Sequence, residues 1–468
     1  MRRDVRVFGT ITALGLALGG ELLVEAQSGA LTSSPATGAT SASASSQPQQ
    51  QVLPPEARYW MGATTGGGLL AMGAMASGKP SMATMMKMAS GGLPSENRTV
   101  LLKLGSSLSP AKGEPEAVHT MPPGAQVNQP IALATPKPGG SSSRSVDGYT
   151  APKGQISFYW GCGEKAGPGQ PVVLSFDKLL RGDNDPELEA LQGAVSGREV
   201  RKPSAANSKT YGDWPNDDRK NRSLEAAFRA GSGLAGLHVI RGTYSPTIEF
   251  TLPDDKSFME AVRYTSTAVQ ASGAIALAWG ASSRATGYSL GVMAPEKTTD
   301  DSAHFVMWSS ANRPATFIQM EDLTPAEVQR LIALKAVLPP GTTSCAVPAE
   351  VVKATREGSM LMFTAFGDEA TFVHPPRPAD RTVTWDQEWF SRVSFKSVRM
   401  DMISPTGVTD PLAGATDATM SDDDYCKALA ERQTQQSVAE AIPGGRLLRR
   451  FGRKKDEPPA DPRCVKKP

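Results

Sequence analysis

Along the chain, apolar and polar positions alternate most regularly over residues 272–307. Ile275, Leu277 and Trp279 lie on one side of an extended chain, Ala276 and Ala278 on the other. A period of two, with β-branched and aromatic residues on one side, is the pattern of a half-buried strand. A short loop at 280–286 leads to a second alternating run around Tyr288, Leu290 and Val292, and a third follows at 305–308. Three strands so closely spaced predict an antiparallel sheet within a β-sandwich. Comparable runs occur at 99–104, 117–121, 129–133, 155–160, 172–176, 237–240 and 247–252. Others follow at 360–366, 370–373 and 389–402.

Helical periodicity is confined to short stretches. At 325–336, Thr324 is placed as N-cap, Pro325 at the first helical position and Glu327 where a capping box needs a carboxylate. Leu323 and Val328 occupy the staple positions, and Val328, Leu331 and Ile332 form an apolar face at i, i+3, i+4. This helix is expected to cover one edge or face of the sheet. Shorter helices are expected near 186–191 and 224–229, around a polar insertion at 181–222. Another is expected at about 422–441, where Asp422, Asp423 and Asp424 suit the positive end of a helix dipole.

These elements predict a mainly β fold: two antiparallel β-sandwich-like domains, at 98–265 and 266–403, with short helical insertions. A leader at 27–97, rich in Ser, Ala, Gly and Met, and a tail at 404–468 with a basic end flank them and are expected to be disordered.

Composition changes this picture mainly at the ends. Gly (45) and Pro (37) concentrate in the first third, which reads as unpacked. Residues 1–26 have the form of an export signal: Arg2, Arg3 and Arg6, an apolar run at 7–20, and Val24-Glu25-Ala26 before the expected cut. The apolar run is shorter than the roughly 18–20 residues that span a bilayer, so no transmembrane segment is expected after cleavage. The chain is therefore expected in the periplasm or outside the cell. The stretch 59–88 reads as a flexible leader. Gly66-Gly67-Gly68 makes a poor membrane helix, and Met82, Met85, Met86 and Met88 lack the His or Cys that would support a copper(I) site. The basic run 446–455, with Leu447, Leu448 and Phe451 interleaved, could touch an anionic membrane surface weakly. A net charge of +2 supplies no bulk attraction for nucleic acid.

Export makes Cys162, Cys345, Cys426 and Cys464 disulfide candidates, and sequence does not choose among their three pairings. No cofactor is expected and no metal site, because no CxxC or His/Cys cluster occurs. Gly231, Gly233 and Gly236 satisfy GxGxxG, but a helix precedes them and a strand follows, the reverse of a dinucleotide site. The SxxK stretches at 109–112 and 175–178 lack their partner motifs. His238 and His304 fall in expected strands and read as satisfied core or face residues. Asp183/Asp185 and Asp213/Asp217/Asp218 read as solvated loop clusters. The remaining lead is Tyr211 and Trp214, expected in a polar loop with Pro215 and Asn216; exposed there they would stack on a sugar or peptide, but Trp214 is expected rather to plug the gap between the insertion and the sheet.

Trp279 on a strand, followed by Ala285-Thr286-Gly287-Tyr288 opening the next, resembles the second and third strands of a fibronectin type III domain over about 40 residues. That resemblance implies a sandwich-like topology and no ligand; the helix at 325–336 has no counterpart there. The phrases at 159–164 (YWGCGE), 169–171 (GQP), 211–216 (YGDWPN) and 345–351 (CAVPAEV) resemble a group of uncharacterised exported proteins of Gram-negative bacteria. This second resemblance spans 98–375 and implies export and a shared β-rich fold. The expected function is a binding or structural role at the cell envelope, with an envelope protein or polysaccharide as partner. The alternative is an exported hydrolase whose site is assembled from distant loops.

Overall fold

The computed structural model of the protein describes residues 50–72, 96–127, 129–135, 153–176, 198–215, 228, 231–298, 302–315, 322–356 and 358–409. In chain order the strands are β1 (Ala57–Gly68), β2 (Asn97–Ser106), β3 (Ala117–Thr120), β4 (Ile131–Leu133), β5 (Lys153–Trp160) and β6 (Val172–Ser175). They continue as β7 (Thr210–Trp214), β8 (Gly236–Gly242), β9 (Ser245–Leu252), β10 (Tyr264–Val269), β11 (Ile275–Trp279) and β12 (Gly287–Thr298). After β13 (Ser302–Ser309) come helix α1 (Pro325–Ala333), β14 (Ser344–Val347) and helix α2 (Ala349–Ala354). The described chain ends with β15 (Met360–His374), β16 (Trp389–Ser404) and β17 (Gly407–Thr409). It is mainly β, as the alternation predicts.

Three sheets form. The large one runs β6-β5-β13-β12-β15-β16-β1-β2-β7, with β17 paired to β16. The smaller ones are β10-β11-β14 and β4-β3-β8-β9. Reciprocal bonds between Ala134 and Asp213 (2.9 and 3.0 Å) stitch the end of β4 to β7. Alternation decides which side chains meet. Tyr59, Met61 and Ala63 of β1, Leu361 and Phe363 of β15, and Leu290 and Val292 of β12 pack against the two smaller sheets in one continuous core. On the other face Phe366 joins Leu323, Val328 and Leu331 around α1. Thr324 caps α1, its Oγ1 accepting from Glu327 N at 3.1 Å. Only this half of the capping box forms: the Glu327 carboxylate accepts instead from Arg198 N (2.9 Å) and from Arg330.

Three expectations are corrected. The leader at 27–97 was expected to be disordered, yet it contains β1, twelve residues almost all buried in the middle of the large sheet. β1 runs parallel to β16 and antiparallel to β2, so its backbone is paired on both edges. Small residues suit such a strand, because neighbours close over both faces; a Cβ on Gly62 would lie 2.3 Å from the Trp60 ring. Two antiparallel sandwich domains divided at 265/266 are replaced by one mixed sheet with strands from both sides of that point, including the parallel pairs β1/β16 and β5/β13. Alternation marks a strand's faces but carries no signal for its partner. The three strands expected to share one sheet are split: β12 and β13 pair, while β11 belongs to the three-stranded sheet. Beyond these, β17 extends into the expected tail, and β10, β14 and α2 have no counterpart among the expected elements.

The expected signal, the Met cluster, the helices at 186–191 and 422–441, the basic run 446–455, Asp183, Asp185, Asn216, Asp217, Asp218, Cys426 and Cys464 lie outside the described residues. Of the helix expected at 224–229 only Phe228 is described, and it bridges antiparallel to Arg98. No helix among the described residues is long and apolar enough to cross a membrane.

Candidate functional site

The two aromatic candidates do not form a site together. Tyr211 and Trp214 lie in β7, an edge strand rather than a loop, and both are buried. Three residues apart on a strand, they point to opposite faces. Trp214 packs in the main core. The Tyr211 hydroxyl donates to Asp213 Oδ2 at 2.9 Å, and burial followed by Asp213 pushes its phenol well up. Neither ring is presented to a stacking ligand.

Charged groups gather instead on the outer face of β1, β2 and β16. Trp60 lies beside Lys103 across β2 and Arg392 across β16, and Lys103 beside Asp213 across β7. Lys202, from the segment before β7, sits 5.1 Å over the Trp60 ring. Its ammonium reaches Asp322 Oδ2 at 2.6 Å, and Lys396 reaches Asp322 Oδ1 at 2.8 Å. Burial alone would raise the Asp322 carboxyl, but the two ammoniums outweigh it and hold it below the ordinary carboxylate range. Burial, then the Lys202 charge, lowers the Lys103 amine. The arrangement neutralises buried charge and clamps residues 198–202 and 322–323 onto the sheet, with Val200 N donating to Asp322 O at 2.8 Å.

A second polar group is enclosed in the core. Tyr59 of β1, His119 of β3 and His238 of β8 are all buried. Tyr59 Oη lies 2.7 Å from His119 Nδ1, His119 Nε2 lies 3.0 Å from His238 Nδ1, and His238 Nε2 lies 2.7 Å from Leu234 O. A carbonyl only accepts, so His238 Nε2 carries its proton, and in a neutral ring Nδ1 then accepts. His119 Nε2–H therefore donates to it, which leaves His119 Nδ1 to accept from the Tyr59 hydroxyl. Burial, and then the neighbouring His238, holds His119 well below its ordinary range. Burial pulls His238 down to about 4, partly opposed by the Leu234 carbonyl. His238 thus fits the expectation of a satisfied core residue. His304 lies on β13, and His374, half-exposed at the end of β15, stacks on Trp389.

The third feature joins two phrases distant in sequence. Cys162, just after β5, is bonded to Cys345 of β14, with Cα atoms 5.0 Å apart and 183 residues between them. Gly163 N donates to Ala346 O (3.1 Å), Ala349 N to Glu164 O (3.0 Å) and Ala166 N to Glu350 Oε2 (2.9 Å). Trp308 Nε1 donates to Gly161 O at 2.9 Å. Gly161 has φ +92°, a conformation open to glycine and rarely to other residues. The segments 159–164 and 345–351 thus form one surface knot. Neither its pairing nor the Tyr59–His119–His238 chain is visible in local sequence pattern; the spacing of the residues involved follows from strand register alone.

Among the described residues, no three His, Cys, Asp or Glu side chains gather as a metal site requires. Compared with models of known protein families, with curated proteins and with solved structures, the chain matches none.

Proposed function

We propose that the protein is exported, periplasmic or secreted, and acts as a disulfide-stapled β protein with a binding or structural role at the bacterial cell envelope. The observation that carries this reading is the Cys162–Cys345 bond. Such bonds persist in oxidising compartments and are rare where cellular reductants act on thiols. The bond also unites two of the phrases that resemble exported Gram-negative proteins, and the signal expected at 1–26 points the same way. A binding or structural role is favoured over hydrolysis because the two histidines that meet in the fold, His119 and His238, are enclosed and bonded to each other rather than presented to a substrate. The partner is an envelope protein or polysaccharide, with weak contact of the basic run 446–455 to the membrane surface.

Expression of the full chain in a Gram-negative host, followed by osmotic fractionation and alkylation of free thiols, tests the address. Cys162 and Cys345 are expected unalkylated, in the periplasm or medium. Retention in the cytosol with both alkylated overturns it. Sedimentation with purified sacculi and with outer-membrane vesicles tests the role. Retention on at least one is expected; hydrolysis of sacculi or of model ester or peptide substrates would favour the hydrolase instead.

A further inference from the structure

The chain Tyr59 Oη–H to His119 Nδ1, His119 Nε2–H to His238 Nδ1, His238 Nε2–H to Leu234 O has a single proton arrangement while both rings are neutral. An imidazolium carries hydrogen on both nitrogens. If His238 takes a proton, its Nδ1–H meets His119 Nε2–H across 3.0 Å. The conflict is relieved only if the His119 proton moves to Nδ1, and the Tyr59 hydroxyl must then turn its hydrogen away and accept. A second proton sets N–H against N–H with no rearrangement left.

Among the described residues, no acidic side chain acts on either imidazole. β1 presents Tyr59, and β9 presents Phe250, stacked on His238 at 5.0 Å. Phe250 in turn stacks on Phe372 of β15 at 4.8 Å. The titratable neighbour acting on His119 is His238 itself; on His238 acts the neutral Leu234 carbonyl, through its hydrogen bond. Both histidines belong to the four-stranded sheet, whereas Tyr59 belongs to the large one.

We infer that this chain is an acid-sensitive latch, holding the four-stranded sheet onto β1 while both imidazoles are neutral and loosening it when they are protonated. Both imidazoles are lowered from an ordinary 6.5, His238 to about 4. The opened form therefore binds protons more tightly than the closed one. The latch stabilises fully above about pH 6.5 and weakens as the pH falls from there toward 4.

Hydrogen exchange on the full chain, read by mass spectrometry at about pH 7.5 and pH 5 and corrected for intrinsic rates, tests this. Opening is expected to rise by up to about tenfold per pH unit for each histidine. Protection should therefore fall in β3, β8 and β9 and hold in β12 and β15. The double variant His119→Asn with His238→Gln keeps amide donors and acceptors but does not titrate, so it should lose this pH dependence; His374→Gln, on the surface, should keep it. Should the double variant fail to fold, the wild-type imidazole resonances decide: both buried rings must remain neutral at pH 5.5. Rings that titrate near 6.5 in the folded protein overturn the latch. So does equal protection at both pH values, or a loss spread evenly over all strands.

Discussion

Trp279 carries an unusual share of the packing between the three-stranded sheet and the large one. It is 3% exposed and meets Tyr288 edge-on at 5.7 Å and Phe363 at 4.7 Å. Trp279→Ala is expected to cost about 3–5 kcal/mol, a large part of a typical stability of about 5–15 kcal/mol. The indole N–H has no hydrogen-bond partner among the described residues, so Trp279→Phe gives up no bond and should cost far less. Urea unfolding of the two variants measures the difference. Asp322 is a contrasting residue, valuable through its charge. Removing it in Asp322→Ala takes the nearest carboxylate from Lys202, which keeps only the longer contact to Glu199 at 3.3 Å, and from Lys396, at a cost of at most about 3–5 kcal/mol. Its carboxyl is depressed from an ordinary 3.8, so its contribution is complete above that pH and is lost as pH falls below it. Urea midpoints from pH 7 to 3 should show two acid steps in the wild type, a histidine step above about pH 4 and a carboxylate step below. Asp322→Ala should lessen the second, to which the ion-paired Asp368 also contributes, and leave the first.

Among the elements, β1 is the least legible from sequence and the most central in space. Its Gly-Ala-Thr composition matches that of a linker, and its identity as a strand comes from β16 and β2 on either side. The same composition has a packing role. Trp60 lies flat over Gly62, whose added Cβ would be 2.3 Å from the ring. Gly62→Val is therefore expected to force Trp60, and with it Lys202, off the sheet, costing upwards of about 2 kcal/mol. Gly280, in a loop with open space around it, serves as control: Gly280→Ala should shift stability by no more than about 0.5 kcal/mol. Thermal melts of both measure this. In α1, by contrast, local signals sufficed: Thr324, Pro325 and the Val328/Leu331 face occupy the positions that cap, start and bury a helix.

At the scale of the whole molecule, the Cys162–Cys345 bond ties the end of β5 to β14 across 183 residues. Closing so long a loop in the unfolded chain is worth at most about 5 kcal/mol, and about 2–5 kcal/mol is the usual loss when a native bond is removed. The double variant Cys162→Ala/Cys345→Ala is expected to lose that much. Reduction of the wild type should produce at least the same decrease in melting temperature, and reduction of the variant none beyond what a Cys426–Cys464 bond contributes. Because the bond anchors the three-stranded sheet, exchange should quicken first in β11 and β14.

Much of this protein is written in local sequence. Alternation at 275–279, 288–292 and 389–402 depends on backbone geometry that every strand shares, so most strands, the core role of Trp279 and Tyr288, and the capped helix could be read without knowing any partner. The cysteines could be read as disulfide candidates, though not paired. What only the tertiary structure decided are the quantities that depend on two distant segments at once. Which strands pair, and in which direction, is one: β1 is a strand because β16 arrives more than 300 residues later. The faces of Tyr211 and Trp214 are another, since register makes this candidate aromatic platform two buried side chains on opposite sides of β7. So too is the meeting of Tyr59, His119 and His238, each unremarkable in its own stretch. Pattern along a chain records which side of an element a residue occupies; only the packed sheets determine what it faces there.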